Sequence, residues 1–137
     1  MARSTVNPET LFNSTQYGFS QVAISKPGNI VFISGQVAWD ENENVIGEND
    51  LDQQTRKAID NLRIAIHSVG GTMENIMMLR IYKVDYQPED GPIITSILKE
   101  NFGVSNPPAS TWVSVKGLAN EGFMIEIEAQ AVIEGSL

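Results

Sequence analysis

Apolar and polar positions along this chain follow the two-residue period of strands in some stretches and the three-to-four-residue period of helices in others. "VAIS" at 22–25 and "IVFISGQVAW" at 30–39 are apolar, β-branched runs around Lys26-Pro27-Gly28-Asn29. Proline presets one dihedral of a turn and glycine tolerates the other, so the pattern predicts a β-hairpin. Asp50 and Gln53 have capping-box spacing, and Thr55, Ile59, Leu62, Ile66 and Val69 then recur on one helical face. Gly70-Gly71 supplies the stop. Residues 75–86 predict a strand with Met77, Leu79 and Ile81 on one face and Met78, Arg80 and Tyr82 on the other. A second helix is predicted from a cap at Asp90, with Pro92 in its first turn, Ile93, Ile94, Ile97 and Leu98 as the buried stripe and Gly103 at its end. Strands at 109–116 and 124–133 close the chain. In the last, Ile125, Ile127, Ala129 and Ala131 share one face, and Glu126, Glu128 and Gln130 the other.

The predicted order is β-β-α-β-α-β-β after an irregular segment at residues 1–16. A mixed sheet with both helices on one face is the economical α+β packing of these elements. The opposite face carries residues of intermediate polarity such as Tyr82, Trp112 and Gln130, which suits a subunit interface with clefts better than a fully wetted surface.

Composition narrows the class. The 137 residues fit a single domain, 1–137, and contain no cysteine; disulfides, thiolate catalysis and Cys-based zinc sites drop out together. Nine Lys and Arg against seventeen Asp and Glu give a net charge of −8, and the basic residues are scattered, so nucleic acid is not an expected partner. The N-terminal stretch has no apolar signal-peptide region, and no apolar run is long enough for a membrane span. A cytoplasmic protein without a membrane partner is the expectation.

Candidate chemistry is sparse. His67, the single histidine, sits off the apolar stripe of the first helix and reads as solvated. No G-x-S-x-G, G-x-G-x-x-G or G-K-[ST] pattern is present. Glu41, Glu43, Glu48 and Asp50 read as a polar loop rather than a magnesium site. Gly35 in "ISGQ" marks a bulge or a close approach of backbone to ligand. Glu126 and Glu128 point the same way from one strand, which suits a single glutamate holding a water better than a carboxylate pair acting from two sides of a bond. Ser110, Trp112 and Ser114 line one side of the strand in "NPPASTWVSV".

Taken in order, "GFSQ" at 18–21, "FISGQ" at 32–36, "QTRKAIDNL" at 54–62, the strand led by Pro108 and "IEIEAQAV" at 125–132 resemble the RidA family, also called YjgF/YER057c/UK114. The resemblance runs from about Tyr17 onward. It implies a chorismate-mutase-like fold and a homotrimer with small-molecule clefts between subunits. The implied activity is hydrolysis of reactive enamines or imines such as 2-aminoacrylate to oxo acids and ammonia, with no metal or organic cofactor. It places a water-orienting glutamate at Glu126 and a pocket-lining segment at Ser34, Gly35 and Gln36. A family tyrosine falls on Phe19, without its hydroxyl. Active deaminases read P-A-R-S where this chain reads Pro108-Ala109-Ser110-Thr111. An arginine that would clamp a substrate carboxylate bidentately is thus Ser110, and no arginine follows Arg80. The resemblance therefore implies a cleft bordered by Phe19, Ser110 and Thr111, suited to a less anionic substrate or to a metabolite that is bound without turnover. An RNA-cleaving activity fits poorly with an acidic chain lacking a histidine cluster.

Overall fold

The computed structural model describes residues 3–135. The elements are β1 (Arg3–Val6), a 3-10 turn (Ser14–Tyr17), β2 (Val22–Ser25), β3 (Asn29–Gln36), α1 (Leu51–Ser68), a 3-10 turn (Met73–Asn75), β4 (Ile76–Val84), α2 (Asp90–Phe102), β5 (Ala109–Val115) and β6 (Ile125–Ile133). Four strands form a sheet in the order β3-β6-β4-β5, and β1 and β2 form a separate ribbon. The β4–β5 pair is parallel, joined by the α2 crossover, whereas β6 runs antiparallel to both of its neighbours. Both helices pack on one face of this mixed sheet, giving the predicted α+β architecture. The core comprises Ile59, Leu62 and Ile66 of α1, Ile94, Ile97 and Leu98 of α2, and Ile125 and Ile127 of β6.

The helices begin and end where their sequence directs. The Asp50 side chain accepts the Gln53 N–H at 3.0 Å, satisfying one of the donors that a helix start leaves open. At the other end Gly70 is left-handed with φ 83. The Gly71 N–H reaches the Ile66 carbonyl at 3.0 Å and the Gly70 N–H that of His67 at 3.1 Å, a Schellman closure.

The structure departs from the sequence pattern in several places. β2 and β3 are strands, but they are not a hairpin: β2 pairs with β1, and β3 with β6. The Pro27-Gly28 corner therefore carries the chain from one sheet to another. Gly28 lies so close to β6 that a Cβ there would stand 2.5 Å from the Ile133 carbonyl oxygen, a constraint that local turn chemistry does not reveal. The segment 1–16 is not wholly irregular, because Arg3–Val6 is a strand. Arg3 anchors it by donating to the carbonyls of Asn106, Met73, Glu74 and Ile76. In β4 the register shifts between Ile76 and Met78, so Ile76 and not Met77 joins Leu79 and Ile81 in the core. The α2 cap is Glu89, one residue before Asp90; Ile93 is only half-buried, and Val69 closes α1 from an exposed position.

Trp112 is also on the opposite face from the one expected. Leu79 pairs with Ser110, Ile81 with Trp112 and Lys83 with Ser114. These β5 residues thus share the helix side of the sheet, and Trp112 packs against the core. The far face of β4 and β5 carries Arg80, Tyr82, Thr111 and Val113 instead. On β3 the same far face presents Ile30 and Phe32, 66% and 72% exposed.

Candidate functional site

At the β3 edge the ladder to β6 slips between Ile33 and Gln36. This bulge turns Ser34 and Gly35 out of the regular pleat. A Cβ on Gly35 would lie 2.7 Å from Cδ of Glu126, with a carboxylate oxygen closer still. The Glu126 carboxylate therefore rests on bare backbone, in space that any side chain at position 35 would take. Gln36 folds back, its amide donating to the Ser34 carbonyl at 3.0 Å.

Gly35, Gln36 and Glu126 line a cleft of about 610 Å³ together with Trp39, Asp40, Lys57, Asn61 and Phe123. Asn61 of α1 holds the strand exit by donating to the carbonyls of Val37 and Trp39, both at 2.9 Å. Fully buried Gln54 fixes the opposite wall, donating to the Gly122 carbonyl at 2.9 Å and accepting the Met124 N–H at 2.8 Å. Trp39 and Phe123 meet edge to face at 4.9 Å, and the buried Trp39 indole N–H has no partner among the described residues. The Asp40 carboxyl is held below its ordinary pKa, chiefly by the Asn44 N–H, with Lys57 helping. The cleft thus holds fixed negative charge, one cation and an unpaired donor.

The two glutamates of β6 have different surroundings. Glu128 accepts the Tyr82 hydroxyl and stands in register with Arg80. That bond, aided by burial, raises the Tyr82 pKa. Glu126 lies opposite Tyr82 in the ladder but turns to Gly35 and the open cleft.

The remaining candidates lie at the other edge of the sheet. Ser110 accepts the Trp112 indole N–H at 2.9 Å, so its hydroxyl already holds a neighbour in place. Phe19 packs on Trp112 with ring centroids 6.2 Å apart, and its segment is tied to β5 by the Ser20 N–H on the Pro108 carbonyl at 3.0 Å. Thr111 is exposed on the far face. β5 stands two strand spacings from β6, about 10 Å, and three from β3, about 14 Å, so one protomer does not bring Phe19, Ser110 and Thr111 to Glu126 and Gly35. Trp112 instead borders a second cavity of about 630 Å³ beneath α2, with Tyr17, Tyr86 and Lys99.

Trp39, Lys57, Asn61 and Phe123 were not found from the sequence. A signal existed for part of this wall. Lys57, Asn61 and Ile64 lie three and four residues apart on α1, and Ile64 is an apolar residue off the buried stripe, 64% exposed. His67 is exposed on the last turn of α1, as its position suggested. No group of three or more His, Cys, Asp or Glu side chains that could hold a metal ion occurs among the described residues. No helix among them is long and apolar enough to cross a membrane.

Comparison with known proteins places this geometry. Residues 13–133 match the family described as endoribonuclease L-PSP. The chain is 31% identical over 110 residues to 3-aminoacrylate deaminase RutC of Acinetobacter baylyi, covering 80% of this chain and 84% of that protein. It is 32% identical over 111 residues to the RutC family protein YjgH of Escherichia coli, covering 81% of each. The crystal structure of the Rid-family protein YyfB from Yersinia pestis superposes with a TM-score of 0.92 at 33% identity, covering 97% of this chain and all of that one.

Proposed function

Because the chain belongs to the RidA/YjgF family, whose chorismate-mutase-like fold it shares, we propose that it is an enamine or imine hydrolase of altered substrate range, working in clefts between the subunits of a homotrimer. The observation that carries the reading is the Glu126 carboxylate seated over Gly35 in an open cleft. The 3-aminoacrylate deaminase relative supports the reaction class. The separation of the two edges supports the assembly: a β5 edge from a neighbouring copy would bring Phe19 and Thr111 to the β3 edge of the first.

The chemistry is a hydrolysis. Glu126 orients a water and takes its proton as the oxygen adds to the imine carbon. The proton passes to the substrate nitrogen to give a carbinolamine; its hydroxyl proton then moves to the same nitrogen as the C=O bond forms and the C–N bond breaks, and a carbonyl compound and ammonia leave. An enamine first takes a proton at carbon to give the same imine. Charge is balanced without redox, and no step calls for a cofactor.

Substrate range follows from position 110. A serine whose hydroxyl is engaged by Trp112 offers no bidentate clamp to a carboxylate. The favoured substrate is therefore a neutral or weakly anionic imine. RNA cleavage gains no support from a cleft bearing Asp40, Glu41 and Glu126, because these carboxylates repel phosphate.

The test couples the protein to a dehydratase that releases 2-aminoacrylate or 2-iminobutyrate and, in parallel, supplies a neutral imine of similar size. Ammonia release is followed in both arms. Acceleration of the neutral imine, with weak or no acceleration of the anionic ones, is expected. Ser110→Arg should raise the anionic rates. Ligand binding in the Glu126 cleft without acceleration of any imine would instead establish the protein as a metabolite binder.

A further inference from the structure

The second cavity, on the helix side of β5, is walled by the rings of Tyr17, Tyr86 and Trp112 and by Pro88 and Pro92. Its polar lining is Gln16, Thr95, Ser96 and Lys99, with no aspartate or glutamate. In a chain of net charge −8 that is a local inversion. The Glu126 cleft, by contrast, has three carboxylates in its wall. At about 630 Å³, the volume is that of a small-molecule site.

The walls are held from behind. The Tyr86 hydroxyl rests against Gly91, 2.6 Å from where a Cβ at that position would stand. Tyr86 is also tied to β5 by its backbone N–H on the Ser114 hydroxyl at 3.0 Å. The Thr95 hydroxyl donates to the Tyr17 carbonyl at 3.0 Å, joining α2 to the 3-10 turn. Ser110 takes up the Trp112 indole N–H, so the polar edge of that ring is satisfied and the ring itself remains for stacking.

Lys99 is the charged group of this cavity. Three other cations of the fold are committed to carboxylates: Lys83 to Asp90 at 3.2 Å, and Arg56 and Arg63 to partners on the helices. Lys99 takes part in none of the ion pairs among the described residues. Pro92, Thr95, Ser96 and Lys99 fall on one face of α2, at steps of one, three and four, which sets the ammonium along the cavity from the aromatic end.

We propose that this cavity is a second ligand site, separate from the Glu126 cleft, and that it takes a planar aromatic ring bearing one carboxylate. The ring packs among Trp112, Tyr86 and Tyr17, and the carboxylate meets Lys99. The site stands whether or not Glu126 performs hydrolysis.

Each cavity contains one of the chain's two tryptophans, so the occupant can be located. The Trp39→Phe variant, with Trp112 as sole reporter, is titrated with phenylacetate and with uncharged phenylacetamide. Saturable change of the Trp112 emission is expected with phenylacetate, with about tenfold weaker binding for the amide and for phenylacetate on a Lys99→Gln background. The two indole N–H resonances of the unsubstituted protein report the same binding if Trp39→Phe fails to fold. The proposal is overturned by a non-saturable response, by equal affinity in the Lys99→Gln protein, or by perturbation of Trp39 in place of Trp112.

Discussion

At the β3 edge of the sheet a bulge and a glycine clear space for a carboxylate, and the cleft around Glu126 is polar and acidic. At the β5 edge Ser110 spends its hydroxyl on Trp112, and the adjoining cavity is aromatic with a single lysine. The two regions flank one sheet and are similar in volume, yet they offer opposite environments to a ligand. The difference shows what the serine in P-A-S-T does to this scaffold. Where the family resemblance implies a cation, the β5 edge carries a polar group committed to packing an indole, while Glu126, on the strand next to the other edge, stays open.

Substitutions can break that contrast in order of expected effect. Glu126→Gln removes the group that would hold and deprotonate water, and imine turnover should fall about 100-fold or more, with binding at Trp112 unchanged; undiminished turnover in the coupled assay would remove Glu126 from the mechanism. Gly35→Ala should come next. The added methyl meets the end of a flexible side chain rather than backbone, so Glu126 swings away at a cost of less than about 1 kcal/mol of stability. Turnover should drop about tenfold or more, and the Gly35→Ala/Glu126→Gln double variant should be no slower than Glu126→Gln alone. A thermal melt paired with the rate measurement separates this from general damage.

Ser110→Ala acts at the other edge. It strips the partner from a half-buried indole N–H, at about 1 kcal/mol, and should shift the emission of Trp112 and not of Trp39; unaltered emission would mean that the hydroxyl does not hold the ring. The smallest effect concerns the far face. The bond to Glu128 favours the neutral Tyr82 phenol, so its contribution is fully present below the ordinary tyrosine value of about 10 and is lost as pH rises through the higher folded value. Ultraviolet titration should show one tyrosine ionising late, and returning to about 10 in Glu128→Gln.

Sequence periodicity placed most elements because burial enforces it. The α1 stripe and the alternation in β6 both face the core, and a slip in either would expose isoleucines. What periodicity could not supply was partner choice. Val22–Ser25 and Asn29–Gln36 look like a hairpin because nothing local says that their hydrogen bonds go to β1 and β6. The slip at Ile76–Met78 likewise depends on β6, and with it which methionine or isoleucine enters the core. Among the site residues, the Gly35–Glu126 contact was foreshadowed by a glycine interrupting a strand. The cleft wall was not, since Asn61 and Gln54 act on distant carbonyls and Phe123 sits in a loop without a repeat. Ser110, Trp112 and Ser114 were correctly grouped on one side of a strand, but the side was fixed only by the parallel register with β4.

The central claim is that one copy's β5 edge completes the Glu126 cleft of the next. The chain has no cysteine, so two can be placed at will on the exposed positions Ser34 and Thr111. These lie on opposite edges, about 14 Å apart across the strands of one protomer, beyond the span of a short thiol cross-linker. The Ser34→Cys/Thr111→Cys protein should yield covalent dimers and closed trimers on a denaturing gel, and neither single variant should do so. Monomer alone after cross-linking, together with a monomeric mass by light scattering, would contradict the shared cleft.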